Sequence, residues 1–365
     1  MSPSNRAKET PSPVKYPSHS PLRNALNRAI DAHFTTTGSR RQGGARLWLK
    51  TAIILVWGAL SYIALVFLAQ TWWQGVAAAV SLGLAVAGIG FNIQHDGGHR
   101  SFSSLRMGNR LTAWTLDLIG GSSYMWRFKH NILHHQYTNV TGMDDDVDAG
   151  PFLRLNPKQR RFWFHRFQHL YIWPLYAFLP PKWQWFDDFA CLFAGRIGTQ
   201  PIPRPRGWAL AGLFIGKVLF VVWALVLPFA LHPPGRVLLM YALVSLVTGV
   251  TLGTVFQLAH CVEEAEYESC PESGDRLPRP WAEHQLATTV DFSPRSRVLN
   301  WYLGGLNFQV EHHLFPKISH VHYRAIEPIV RRTCAESGVR HLSHRTVWTA
   351  LASHVRHVKR LGRAA

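Results

Sequence analysis

Lys129-His130-Asn131-Ile132-Leu133-His134-His135 places three imidazoles within six residues, followed by Gln136-Tyr137-Thr138-Asn139 and the acidic run Asp144-Asp145-Asp146. On a helix, His130 and His134 lie about one turn apart on one face. Neutral imidazole is the commonest protein metal ligand, so the chemistry on offer is metal coordination. Two further clusters frame this one, His95-Asp96-Gly97-Gly98-His99 before it and Gln309-Val310-Glu311-His312-His313 after it. His260 adds another imidazole at the end of an apolar run. One tetrahedral zinc needs only about four ligands, so His95, His99, His130, His134, His135, His260, His312 and His313 suit two metal ions with open coordination positions. Nitrogen ligands admit iron, zinc, copper or nickel.

These clusters act together only if the chain brings them to one place. Leu47 to Leu68 is almost wholly apolar, with Lys50 near its start, and is long enough to cross ~30 Å of hydrocarbon. An uncharged link, Gln70-Thr71-Trp72-Trp73-Gln74, leads to a second run, Val76 to Ile93, which delivers the chain into His95. A third run spans Trp208 to Leu231, with Lys217 its one charge. After Pro233-Pro234 a fourth run, Val237 to Leu258, ends at His260. Leu111 to Gly121 holds Asp117 and is too short to span, and Leu170 to Leu179, with Pro174, reads as an interfacial segment.

Two hairpins return the chain to its starting side, so segments 94–206 and 259–365 face one compartment. The short links carry almost no basic charge and those segments carry most of it, which makes that compartment the cytoplasm. The expected fold is an all-α, multi-pass membrane protein with four transmembrane helices and a cytoplasmic histidine-rich helical cap. Its domain covers residues 46–340. A disordered basic tail, 1–45 (with Lys8, Lys15, Arg40 and Arg41), precedes it, and a basic C-terminal tail, 341–365, follows. Both termini are then cytoplasmic.

The net charge of +18 fits either nucleic-acid binding or basic loops beside a membrane. Fifteen Trp and twenty Phe favour the membrane interface, so no nucleic-acid partner is expected. Cys191, Cys261, Cys270 and Cys334 form no C-x-x-C pair and read as reduced thiols. His165 and His169 read as interfacial, and His341, His344, His354 and His357 as solvated tail residues. A metal transporter is the rival reading from another class, but transport needs polar groups deep within spans, and here they offer little beyond Lys217. A site at the membrane edge favours chemistry on something that enters from the bilayer.

The H-D-G-G-H, H-N-I-L-H-H and Q-V-E-H-H boxes resemble those of the membrane fatty acid desaturases. Gly304-Gly305-Leu306-Asn307-Phe308-Gln309-Val310-Glu311-His312-His313-Leu314-Phe315-Pro316 is especially similar to the third box, with Gln309 in place of its first His as in the front-end branch. Trp126-Arg127-Phe128-Lys129-His130 through Asp146 resembles bacterial acyl-lipid and linoleoyl-CoA desaturases. The resemblance covers roughly residues 45 to 340. It implies two irons per chain, held by the box histidines and by a further His after the fourth span, matched by His260. It also implies O₂-dependent removal of two hydrogens from an acyl chain carried on a lipid or on CoA. Electrons come from ferredoxin or cytochrome b5, and since no His-Pro-Gly-Gly haem motif is present here, the donor must be a separate protein. A bacterial inner (plasma) membrane is the expected location. Hydroxylation, or desaturation of a sphingolipid, on the same scaffold is the alternative chemistry. Gln309 is either a weak ligand or a donor behind the ligands. Asp96, Asp144, Asp145, Asp146 and Glu311 are expected behind the imidazoles, fixing their tautomers, although the aspartates suit helix capping and solvation equally. His284, in a segment that resembles the family outside the boxes, is left out of the site.

Overall fold

The computed structural model describes residues 14–271 and 275–364. Among these, four helices are long and apolar enough to cross a membrane: Gly44–Leu68, Trp72–His99, Trp208–Leu231 and Pro234–His260. They coincide with the four expected runs: the third has the expected bounds, and the other three extend beyond theirs. The shortest, with 24 residues, is about 36 Å long at 1.5 Å per residue, more than the ~30 Å of hydrocarbon. Leu49, Val56, Leu60 and Phe67 of the first span and Phe214, Val218 and Leu219 of the third stay exposed, a surface suited to lipid tails.

The second span is central and is the most buried of the four. Trp57 of the first span donates to Ser81 Oγ at 2.9 Å, and Thr248 of the fourth donates to the Gly83 carbonyl at 3.1 Å. Hydroxyl and indole groups thus find partners where no water is available. Lys217, the charge in the third span, is buried against Asp188 Oδ2 at 2.6 Å and the Gly120, Trp183 and Gln184 carbonyls. It pins the span to the segment around Trp183–Asp187 and is no part of a polar path.

The rest of the described chain forms a mostly helical cap, with β-structure limited, among the described residues, to three two-stranded pairs of two-residue strands and an isolated bridge between Lys15 and Arg276. Two expectations are corrected here. The disordered tail of residues 1–45 is not disordered throughout: Pro21–Thr37 is a helix, capped by Ser20, whose Oγ accepts from Arg23 N–H, and closed by Gly38 in the left-handed region. Leu22, Leu26, Ile30 and Phe34 recur every fourth residue and are buried, in one core with Ile326 and Val330 of the Tyr323–Glu336 helix. Residues 1–13 of that tail lie outside the described residues, Lys8 among them.

The C-terminal tail of 341–365 is likewise folded. Val347–Arg363 is an amphipathic helix capped by Thr346 and buries Ala350, His354, His357, Val358 and Leu361. His354 bridges the Cys261 carbonyl at 2.7 Å and the Tyr176 hydroxyl at 3.0 Å, and His357 meets the Tyr267 hydroxyl at 3.2 Å. These imidazoles are core groups with partners, where solvated ones were expected. His165 is also buried, its Nε2 donating to the Pro151 carbonyl at 2.9 Å. The helix Gln168–Tyr176 does not span, and it buries Ile172 and Tyr176 in a core that includes Val358 of the C-terminal helix.

Candidate metal centre

The ends of the second and fourth spans supply His95, His99 and His260. The π-helical segment Arg127–His134 supplies His130 and His134, and His135 begins the next turn. The short helix Gln309–Leu314 supplies His312 and His313. All eight are buried and lie together.

Small residues allow this convergence. A Cβ on Gly98 would come 2.2 Å from the Trp126 ring, so the glycine lets the indole lie against the first box. Trp126 then stacks on His130 with centroids 4.5 Å apart and planes at 24°. Gly304 has φ near +60°, and a Cβ there would fall 2.3 Å from the Phe91 carbonyl. That contact seats the third-box turn against the π-helical turn Gly90–Gln94 of the second span. His312 consequently lies 4.5 Å from His95, ring to ring.

The imidazoles fall into two sets. His95, His99, His130 and His312 offer ring nitrogens within 4.8 Å of one another, and so do His134, His260 and His313. His135 lies between: it forms a similar group with His312 and His313, and its Nε2 is 3.3 Å from His130 Nε2. His130 and His134 share a face as expected, rings stacked at 5.1 Å, yet they feed different sets. The wider π turn also brings His135 beside His130, which regular α geometry at five residues' spacing does not favour.

Ring orientation is held from behind. His134 Nδ1–H donates to Asp144 Oδ2 at 3.0 Å, His313 Nδ1–H to Gln285 Oε1 at 2.8 Å, and His260 Nδ1–H to the Thr288 carbonyl at 3.3 Å. His312 Nδ1 pairs with the Tyr323 hydroxyl at 3.2 Å. Each bond leaves Nε2 with its lone pair facing inward, the arrangement of ligating histidines. His99, His134, His260, His312 and His313 Nε2 and His135 Nδ1 are buried with no hydrogen-bond partner among the described residues. Such orphaned acceptors are costly unless something binds them, and a metal pair fits the donor set.

Electrostatics agree. Burial, then neighbouring imidazoles, hold His135, His312 and His313 well below the ordinary histidine value, so they are neutral and able to donate a lone pair. Burial also lowers His130, with Asp146 opposing. For His134 burial acts downward, but the Asp144 carboxylate outweighs it and the net shift is upward.

Of the residues expected behind the imidazoles, Asp144 and Asp146 contact them, Asp146 Oδ2 reaching His130 Nδ1 at 3.5 Å. Asp145 instead pairs with Lys129 at 3.0 Å. Asp96 turns away from the boxes to His320 Nδ1 at 3.0 Å and Ser319 Oγ at 2.6 Å, and His320 Nε2 continues to Lys50 at 2.9 Å. Glu311 contacts His341 at 3.0 Å and no box histidine. Gln309 is buried and donates to the Leu306 carbonyl at 3.0 Å. A helix sends adjacent residues to different faces, so a carboxylate beside a ligand in sequence is carried away from it in space.

The supports that the sequence reading missed are Gln285, Thr288, Tyr323, Trp126 and Thr138, whose Oγ is 3.2 Å from His313 Nδ1. A signal existed for two of them. Gln285 and Thr288 follow the set-aside His284 by one and four residues, and His284 itself contacts the Thr138 carbonyl at 2.8 Å.

Comparison with known proteins points the same way. The family model described as fatty acid desaturase matches residues 70–345. The chain is 37% identical over 341 residues to an sn-1 linoleoyl-lipid 6-desaturase of Arthrospira platensis, covering 93% of this chain and 92% of that one. It is 34% identical to the sn-1 linoleoyl-lipid 6-desaturase of Synechocystis, over 96% of this chain and 98% of that one. An acyl-lipid (8-3)-desaturase of Physcomitrium patens is 37% identical over 92% of this chain and 71% of its own length. With four spans, a histidine cage at the ends of two of them, and these matches along nearly its whole length, the chain belongs to the fatty acid desaturase family and is an enzyme of that kind.

Proposed function

We propose that the protein is a front-end acyl-lipid desaturase, introducing a double bond toward the carboxyl end of a lipid-borne acyl chain at a di-iron centre. The observation that carries the metal assignment is the pair of imidazole sets with inward, unpartnered nitrogens. The acyl-lipid substrate follows from the named activities of the relatives in Arthrospira platensis and Physcomitrium patens. One iron would be held by His95, His99, His130 and His312 and the other by His134, His260 and His313, with His135 between them. When bound, the iron pair supplies O₂ activation for the removal of one hydrogen from each of two neighbouring methylenes. Overall, CH₂–CH₂, O₂, two electrons and two protons become CH=CH and two waters.

The chain's own residues do the positioning. Asp144, Gln285 and the Thr288 carbonyl hold Nδ1 protons, so the imidazoles keep one tautomer and one orientation. The buried cage excludes bulk water, which protects a reactive centre. Between the spans lies a largely apolar pocket lined by Leu82, Val86, Phe220, Val244 and Thr248, which continues to His232 and Arg236 at the ends of the spans away from the cage. Thr248 is twelve residues before His260 on one helix, about 18 Å along the axis. An acyl tail extended from the cage toward Thr248 would hold one methylene pair at the metals by the fit of its far end.

Cage and termini are assigned to the cytoplasmic side by the charge asymmetry of the loops, and the membrane is a bacterial inner membrane. The electron donor is a separate one-electron carrier, ferredoxin or cytochrome b5 in type, docking on that side. The test is expression in a host lacking polyunsaturated lipids, followed by gas chromatography and mass spectrometry of the acyl chains. New double bonds toward the carboxyl end, found in membrane lipids, are expected. A hydroxylated product without new double bonds would overturn the reading.

A further inference from the structure

A second cluster of ionisable groups lies outside the cage, behind the third box. Asp291 starts the strand Asp291–Phe292, Glu311 sits in the third-box helix, Glu327 in the helix Tyr323–Glu336, and His341 just precedes the strand Ser343–His344. The two strands pair in parallel, Asp291 opposite Ser343, which closes the group.

His341 Nε2 is 3.0 Å from Glu311 Oε1 and 3.6 Å from Asp291 Oδ2. Asp291, Glu327 and His341 offer donor atoms all within 4.8 Å of one another. Donors bound to one dication at ~2.0–2.2 Å are themselves separated by roughly 3.0–3.5 Å, close to the 3.0 and 3.6 Å between His341 and the two carboxyl groups, so a small inward shift of Glu327 would complete a shell.

Burial sharpens the case. Asp291 and Glu311 are 0% exposed and Glu327 is 8% exposed, while the His341 side chain is 3% exposed. Asp291 Oδ2 and Glu311 Oε2 face the interior with no hydrogen-bond partner among the described residues. Arg331, on Glu327, is the one Lys or Arg in ion-pairing contact with these carboxylates among the described residues. Three buried carboxyl groups share one guanidinium and one imidazole, and a dication among them would supply the remaining positive charge.

We propose that Asp291, Glu311, Glu327 and His341 form a further divalent-cation site, distinct from the histidine cage. Carboxylate oxygens with one imidazole suit zinc, manganese or ferrous iron. The ion would tie the third-box helix to the Asp291 and His341 segments and to the Tyr323–Glu336 helix. Its role there is structural: it stiffens from behind the element that presents His312 and His313.

The test uses the full-length protein in lipid nanodiscs, stripped with a chelator and reloaded with zinc alone, with zinc per chain read by inductively coupled plasma mass spectrometry. The wild type should retain one equivalent more than Asp291→Asn and His341→Ala, with a higher Tm that falls on chelation. Glu327→Gln, nearly isosteric, carries the comparison if His341→Ala does not fold. A variant lacking the cage ligands, His134→Ala with His313→Ala, should keep that equivalent, so failure of the di-iron reading leaves this result intact. Equal zinc content in the wild type and in folded Asp291→Asn and Glu327→Gln would overturn the site.

Discussion

At the residue scale the cage separates donors from the groups that aim them. Box spacing is short-range, so helical periodicity alone marks His130 and His134 as neighbours, and their rings do stack at 5.1 Å. Gln285 and Tyr323 reach His313 and His312 across 28 and 11 residues, and no local pattern announces that. His134→Ala is expected to abolish the desaturated product while the protein remains in the membrane fraction, as read by acyl-chain profiling and immunoblotting. Asp144→Asn keeps the shape but weakens the hydrogen bond that orients His134. Metal affinity should fall about 10–100-fold, measured by competition with a chelator. Gln285→Leu should lower affinity through His313 in the same way, and an unchanged affinity would remove it from the machinery.

At the scale of elements, the two ends of the chain differ most from their sequence reading. The N-terminal segment is basic on average, yet Leu22, Leu26, Ile30 and Phe34 form one apolar stripe against the Tyr323–Glu336 helix. Composition averages hide a stripe of four residues, whereas the tertiary partner makes it decisive. Leu26→Ala should cost about 2–5 kcal/mol, seen as a lower Tm in detergent. In the C-terminal helix, burial pushes His354 down from 6.5 to about 4. The fold therefore favours neutral imidazole, and the stability it adds is complete above about pH 6.5. It declines as pH falls toward 4, because the unfolded chain takes up the proton first, with a total of roughly 3 kcal/mol for this one group. Thermal melts between pH 7 and 4 should show that slope, and His354→Gln should flatten part of it.

Over the whole molecule, hairpin parity brings the histidine clusters to one side, and an apolar pocket lies between the spans, from Thr248 to Arg236. If the acyl tail occupies that cavity, narrowing it should change which chains are accepted. Val244→Trp, in the cavity wall, is expected to shift product toward shorter acyl chains without changing metal content. Profiling with a series of chain lengths checks this, and an unaltered profile would move the tail elsewhere.

Sequence alone settled the four spans, because ~20 consecutive apolar residues have few destinations other than a bilayer. It also singled out the eight histidines, since their types and short spacings are local properties. Only the tertiary structure decided how they divide into sets, through the π turn at Arg127–His134 and the seating of Gly304 on Phe91. Likewise it alone turned Asp96 toward His320 and Glu311 toward His341, partners 224 and 30 residues away. Such pairings depend on where distant helices dock, and side-chain direction on a short helix changes with every residue.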